Sequence, residues 1–348
     1  MARTLPTPNT IDPGGVPSLR WGIVGSGWIA ARFARALNVR STQRIAAIAS
    51  RNPATAAALA RDAGIDKVHP TPETLVSDPS VDVVYVATPH ITHCELALRA
   101  IAAGKHVLVE KPLATSAAEG REIVNAARAA GVFAMEAMWT RYLPQMDILR
   151  MLLVDGALGD VHLVTADFGF VVPFDPRSQM WNPALAGGAL LDAGVYPVSF
   201  ASFAIGPPTR ISAVGAVTST GVDAHAEMLL TTASGASALL ATSMVSTSPT
   251  RAAIIGSAAR IEVTSPFYAP GGLVMTWPSH TTEESISWRD APLEETFDAL
   301  SFQATALASY VGEGRTESPL HTLAETISVL ETLDTVRAQV LAGPSDLF

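Results

Sequence analysis

Between residues 20 and 139 the chain alternates short apolar runs with amphipathic segments, an order that few folds accept. "LRWGIVGSG", "RIAAIAS", "VDVVYVATP", "HVLVEKP" and "VFAMEAMW" read as strands. The segments between them, "WIAARFARALNV", "PATAAALARDAG", "THCELALRAIAAGK" and "SAAEGREIVNAARAAG", read as helices, three of them ending at or just before a glycine. The strand runs are nearly continuous in Val, Ile, Leu and Ala, so both of their faces need covering. Strands of that kind separated by helices predict parallel βαβ units in a doubly wound sheet.

The first turn carries chemistry. In "GIVGSGWIA", Gly25, Gly27 and Ala30 form G-x-G-x-x-A directly after a strand and at the start of a helix. The first glycine permits the tight turn, the second lets a pyrophosphate approach the backbone, and the small Ala30 lets helix and strand pack closely. Placed at the head of a βαβ series, the pattern predicts dinucleotide binding by Gly25, Ser26, Gly27, Trp28 and Ile29.

Beyond residue 140 the texture changes. A crossing helix in "PQMDILRMLLVDGALG" is followed by strand-like runs at 160–171, 209–218, 225–233, 236–246 and 250–264, with helical segments at 188–204, 296–311 and 320–342. Strands in succession predict an open, largely antiparallel sheet with helices on one face. The expected class is therefore α/β: a flexible tail at 1–17, a Rossmann domain at 18–140 and an α+β substrate and dimerisation domain at 141–348.

Composition narrows the function classes. With 23 Lys plus Arg against 32 Asp plus Glu, the net charge of −9 points away from nucleic acid and anionic membranes. The single cysteine, Cys94, cannot make an intrachain disulfide or a paired-cysteine zinc site; it reads as a small buried hydrophobe, and a reducing cytoplasm is the simplest home. The Pro- and Thr-rich start lacks the apolar core of a signal peptide, and no apolar run reads as long enough to span a membrane.

The end of the second strand bears on the cofactor. An NAD site wants an acid there, some 20 residues past the glycines, to bind the ribose hydroxyls. This chain has Ser50 and Arg51 instead, a hydroxyl and a guanidinium suited to a 2′-phosphate, so NADP is expected over NAD. The alternative is a solvated arginine opening a loop. At the end of "VDVVYVATP", where open α/β sheets bind ligands, Ala87, Thr88 and Pro89 are expected to line the cofactor. His90 and His93 follow, either touching the ligands or serving the structure; they are too few for a metal, and none is expected.

The run from the glycine turn through "TPHITH" and "EKP" to "GGALLDAGVYPV" resembles the family of glucose-fructose oxidoreductases, inositol dehydrogenases and their relatives (Gfo/Idh/MocA). "MEAMWTRYLP" is similar to its branch of dimeric dihydrodiol dehydrogenase and NADP-linked D-xylose dehydrogenase. The likeness covers residues 20 to about 205; after that it rests on element order. It implies that Lys111 reaches the nicotinamide and the reacting oxygen, with Glu110 orienting it or bonding the cofactor ribose. Tyr196, where many relatives have histidine, becomes the proton carrier, its phenol activated by Lys111; Asp192, one helical turn away, is the competing base. Trp139 and Arg141 are candidates for the pocket floor beside the cofactor, with Trp139 equally readable as core and Tyr142 as core.

What the resemblance implies is NADP-dependent hydride transfer at a secondary alcohol or hemiacetal carbon of a sugar, polyol or trans-dihydrodiol. The alternative is a non-catalytic NAD(P)-binding regulator of the same fold; Lys111, Asp192 and Tyr196 together argue against it. A sheet with one uncovered face further suggests a homodimer or a dimer of dimers.

Overall fold

The computed structural model describes residues 4–278 and 283–343. The chain divides into two compact units. One comprises Thr10–Tyr142 with Pro292–Ile327; the other comprises Leu143–Ala291 with the described parts of the chain ends, the last beginning at Ser328.

The first unit holds β1 (Arg20–Val24), α1 (Trp28–Arg40), β2 (Arg44–Ala49), α2 (Pro53–Ala63), β3 (Lys67–His69), α3 (Pro72–Val76) and β4 (Val83–Val86). It continues with α4 (His93–Ala102), β5 (His106–Glu110), α5 (Ala117–Ala130) and β6 (Ala134–Ala137). The six strands lie in the order β3-β2-β1-β4-β5-β6, and every pairing is parallel. The order reverses between β1 and β4, which opens the ligand crevice of a doubly wound sheet at the carboxyl ends of those strands. All four residues of β4 are fully buried, as a strand covered on both faces requires. Phe33 of α1 stacks on Tyr85 of β4 at 4.0 Å and meets the edge of Trp21 of β1 at 5.4 Å. Burying a ring of this kind stabilises by roughly 1.5–3 kcal/mol, which fastens α1, and with it the glycine turn, to the sheet.

The second unit begins with α6 (Pro144–Val154) and β7 (Val161–Gly169), followed by a π-turn at Leu190–Gly194 that runs into α7 (Val195–Ile205). Seven more strands follow: β8 (Pro208–Val217), β9 (Asp223–Thr232), β10 (Ser237–Ser243), β11 (Ala252–Gly256), β12 (Arg260–Val263), β13 (Gly272–Trp277) and β14 (Glu284–Arg289). They form one sheet, β14-β13-β12-β11-β7-β10-β9-β8, antiparallel except for β7 beside β10. Along β9 alternate residues point inward, Ala224, Ala226, Met228 and Leu230, as a sheet covered on one face dictates. After β14 come α8 (Leu300–Gly312) and α9 (Leu323–Ala342).

Several expectations change. Residues 4–17 are tied down instead of loose: the Asn9 N–H donates to Asp147 at 2.6 Å, Asp12 caps a 3-10 turn at Pro13–Gly15, and Pro17 C=O accepts from Gln43. The stretch Pro183–Ile205 is long and apolar enough to cross a membrane, contrary to the sequence reading; 72% of its most apolar window is buried inside the protein, as for a core helix. Pro292–Ile327 groups with the first unit, so a single cut at 140 does not describe the packing. The run at 250–264 is a hairpin, β11 and β12, closed by a turn in which the Gly256 N–H donates to Ala259 C=O at 2.9 Å. The three-residue β3, the short α3 and the late β13 and β14 carried too little periodicity to read.

Candidate active site

The glycine turn has the form a dinucleotide phosphate needs. Gly25 sits at φ +120, and a Cβ there would run into the Ala87 carbonyl, so the turn can close only over glycine. Gly27 is the N-cap of α1, with no side-chain cap among the described residues, and a Cβ added to it would meet nothing within 4 Å. Open space in front of uncapped helix N–H groups fits a pyrophosphate. Ala30 is fully buried against the sheet. Ser26 and Ile29 are half-buried, whereas Trp28 is 66% exposed.

Beside this turn, Ser26 Oγ donates to Ser50 Oγ at 2.8 Å and lies 2.6 Å from Thr55 Oγ1. Asn52 caps α2, accepting from the Ala54 and Thr55 N–H groups. Arg51 is exposed at the same strand end. Three hydroxyls and an exposed guanidinium gathered here suit an anion, the N-terminus of α2 being already capped by Asn52. Thr55 and Asn52 were missed, although an Asn-Pro pair opening a helix is a readable cap signal.

At the end of β4, Ala87 is buried and Thr88 and Pro89 are half-buried. Thr88 Oγ1 accepts from Thr92 at 2.8 Å. His93 does not face a ligand. It is fully buried, with Nδ1 2.9 Å from Pro112 C=O and Nε2 2.9 Å from Thr88 C=O, so it ties the loop after β4 to the loop after β5. Burial, opposed by those carbonyl contacts, holds its pKa below the ordinary value. His90 is also buried, its ring edge-on to His93 at 5.6 Å. Cys94 is buried, and burial pushes its thiol up to about 11, which leaves it inert at neutral pH.

Lys111 is half-buried just beyond β5. Glu110 beside it is buried, and its carboxylate accepts from Tyr85 Oη at 2.6 Å and from the Lys111 N–H at 3.1 Å. Burial pushes Glu110 up to about 7, with the Tyr85 bond and Lys111 pulling the other way. These bonds favour its orienting role. Trp139 and Arg141, the expected pocket floor, are 3% and 2% exposed and packed among other side chains. Trp139 stacks on Phe297 at 5.6 Å, and Arg141 is ion-paired with Glu325. Phe297 also meets the edge of Trp28 at 5.4 Å, which brings residues from the returning segment to the glycine turn, a neighbour the order of the sequence does not reveal.

In the second unit, Asp192 lies in the π-turn and Tyr196 one turn on in α7, half-buried and buried respectively. The Tyr196 ring meets Phe168 edge-on at 5.6 Å and Tyr268 at 5.2 Å, and those two rings stack at 4.5 Å. Pro197 follows directly on the π-turn, whose irregular hydrogen bonding accommodates a residue without an N–H, and α7 continues past it to Ile205. The start of the π-turn is held by Asp223, which accepts from the Leu190 N–H at 2.7 Å. Gly188 must be glycine here: its φ is +114, and a Cβ would collide with the Asp223 carboxylate. Phe168, Tyr268 and Asp223 lie far from the motif in sequence and no local pattern marks them.

Burial raises Asp223 from the ordinary 3.8 to about 6, only partly offset by the helix N–H groups. A raised carboxylate contributes stability that is full below its unfolded value and lost as pH rises through about 6. Asp223→Asn is therefore expected to flatten the fall in stability between these pH values, read as the difference between urea-unfolding curves of variant and parent; an unchanged pH dependence would contradict it.

Among the described residues no group of three or more His, Cys, Asp and Glu could hold a metal ion.

Comparison with known proteins agrees with this geometry. Residues 19–138 match the oxidoreductase family, NAD-binding Rossmann fold, and residues 146–262 match the GFO/IDH/MocA C-terminal domain. The chain is similar to trans-1,2-dihydrobenzene-1,2-diol dehydrogenase of Mus musculus, with 36% identity covering 93% of this chain and 97% of the relative. A 3-ketoreductase from Actinomadura kijaniata, solved with NADP and TDP-benzene, is 28% identical with a TM-score of 0.82, covering 93% of this chain and 98% of its own. The aldose-aldose oxidoreductase from Caulobacter crescentus, complexed with glycerol, is 27% identical with a TM-score of 0.81, covering 94% and 99% of the two chains. The chain thus belongs to the Gfo/Idh/MocA oxidoreductase family and is an NAD(P)-dependent dehydrogenase or reductase acting on CH–OH groups.

Proposed function

We propose that this enzyme uses NADP to oxidise, or NADPH to form, a secondary alcohol or hemiacetal carbon of a sugar, polyol or trans-dihydrodiol. The observation that carries this reading is the setting of Tyr196, a phenol on a rigid helix among the rings of Phe168 and Tyr268 and one turn from Asp192. A flat aromatic wall with few polar groups suits a sugar ring or an arene diol. The mouse relative's dihydrodiol substrate, the aldose chemistry of the Caulobacter oxidoreductase and the NADP bound by the ketoreductase support it.

The nicotinamide, when bound, supplies the hydride acceptor or donor. Gly25 to Ile29 hold the phosphates, and Ser50 and Arg51 hold the 2′-phosphate. Tyr196 takes or gives the hydroxyl proton at Oη. The Lys111 ammonium stabilises the negative charge that develops on the reacting oxygen. The ketoreductase was also crystallised with one lysine replaced and with one tyrosine replaced, the two residue types assigned these roles here. An assay of NADP reduction against a panel of trans-dihydrodiols, aldoses, inositols and simple diols tests the substrate class. Turnover confined to ring-bearing diols or sugars is expected, and turnover of none of them would remove the reading.

Coenzyme preference follows from the corner at Arg51. Each charge-assisted contact to the 2′-phosphate contributes about 1.5–3 kcal/mol, so NADP should bind about 10- to 100-fold more tightly than NAD, and Arg51→Leu should erase most of the difference. Calorimetry of both coenzymes checks this; NAD binding as tightly as NADP to the parent enzyme would overturn it.

The same reading includes a homodimer, or a dimer of dimers, built on the outer sheet face. Val214, Leu229 and Leu239 are 67%, 45% and 50% exposed, and Leu229 pairs directly across from Leu239. Apolar side chains in adjacent rows of one sheet face favour a covering surface. Light scattering at micromolar concentration should give at least twice the chain mass, and Leu229→Asp should lower it. A monomeric parent protein would contradict the proposal.

A further inference from the structure

The turn that carries Lys111 is held by its main chain. Its three groups are met by side chains from three elements: the Lys111 N–H donates to Glu110 of β5 at 3.1 Å, Pro112 C=O faces His93 of α4 at 2.9 Å, and the Leu113 N–H donates to Glu136 of β6 at 2.9 Å. Glu136 does more than accept that bond. Its second oxygen lies 2.9 Å from Nε2 of His321, which also lies 3.1 Å from Thr326 Oγ1. His321 Nδ1 is 3.4 Å from Glu325, and Glu325 is ion-paired with Arg141. All of these residues belong to the first unit. The Glu136 and His321 side chains are 1% and 0% exposed.

A carboxylate, a guanidinium and an imidazole out of water, with a second carboxylate 23% exposed, are an expensive way to fill space. Well-packed apolar side chains of similar volume are often as stable or more so. What the ionic set offers beyond filling is a fixed reach, with one carboxylate spanning the Lys111 turn and the segment that carries His321. Burial and Arg141 oppose a charged His321, but its hydrogen bond to Glu136 and the nearby Glu325 carboxylate outweigh them and raise it above the ordinary 6.5. Among the described residues, His321 and His93 are basic groups near Glu136 and Glu110 is an acid near it.

We propose that Glu136 is a positioning residue for Lys111, bridging the Leu113 N–H and His321 so that the lysine is presented in one place. The proposal rests on the reading of Lys111 as the group that stabilises charge on the reacting oxygen. A misplacement of about 1 Å at such a group costs about 10²-fold in rate. Glu136→Ala should therefore lower turnover by about that factor in folded enzyme, with coenzyme affinity little changed.

The test measures turnover, NADPH affinity and unfolding for Glu136→Ala, Glu136→Gln and Glu136→Asp, alone and with Lys111→Met. The glutamine spans the same distance without charge and is expected to recover most of the turnover; the aspartate keeps the charge, falls short by one methylene and is expected to stay slow. In the Lys111→Met background Glu136→Ala should cost nothing further, because it acts through the lysine. The proposal is overturned if Asp matches or exceeds Gln, if folded Glu136→Ala keeps parent turnover, or if its loss multiplies in full with that of Lys111→Met. Should Glu136→Ala not fold, the Gln and Asp variants decide. Parent-like turnover of Lys111→Met would remove the lysine reading and this proposal together; an inactive Lys111→Met beside a normal Glu136→Ala removes only the proposal.

Discussion

Tyr196→Phe is expected to lower turnover by about 10²-fold or more while leaving coenzyme affinity near the parent value. The substitution keeps the ring, and with it the contacts to Phe168 and Tyr268, and deletes only the oxygen proposed to carry the proton. Asp192, in the π-turn just before α7, is the rival base. If Asp192 does the work, Tyr196→Phe retains near-normal turnover with an unchanged pH profile, and Asp192→Asn takes the loss instead. Steady-state kinetics over pH on both variants separate the two assignments.

Arg141→Ala should cost about 3 kcal/mol of stability, the low end for breaking a buried pair, since Glu325 loses its guanidinium partner but keeps His321. Arg141 is 2% exposed, and Glu325, which burial alone would raise, is instead held down to about 2 by His321 and Arg141. Loss of the guanidinium removes part of that compensation and one of the influences that lower His321. Because His321 is raised in the folded state, its contribution is full below 6.5 and fades as pH rises through its folded value, so the variant's deficit should change across neutral pH. Urea unfolding measures both quantities. A deficit below about 1 kcal/mol would mean that the set behaves as a solvated surface pair.

Much of the first unit was legible because its physics is local. A strand covered on both faces has to be apolar at every position, and a phosphate-binding turn has to be glycine where φ is positive, so "VVYV" and Gly25 declare themselves. The second sheet was legible where alternation is long, as in β9, and not where it is interrupted, as at β11 and β12. The candidate site residues follow the same rule. Lys111, Asp192 and Tyr196 lie in contiguous motifs, whereas Phe297, Tyr268 and Asp223 reach their places through tertiary packing that leaves no local pattern. Arg141 and His93 show the converse error: polar residues inside a recognisable motif invite a ligand role, and here their partners are Glu325 and two main-chain carbonyls.

In the proposed mechanism Lys111 and Tyr196 act as one kinetic unit in NAD(P)-linked oxidation of a CH–OH group. A double-mutant cycle with Lys111→Met and Tyr196→Phe, read as turnover at saturating NADP on the best diol or sugar of the panel, addresses it directly. The account predicts that each single variant loses a large factor and that the double variant is little slower than the slower single, because the second change removes a partner already without function. Losses that multiply in full, or a single variant with parent turnover, would contradict it.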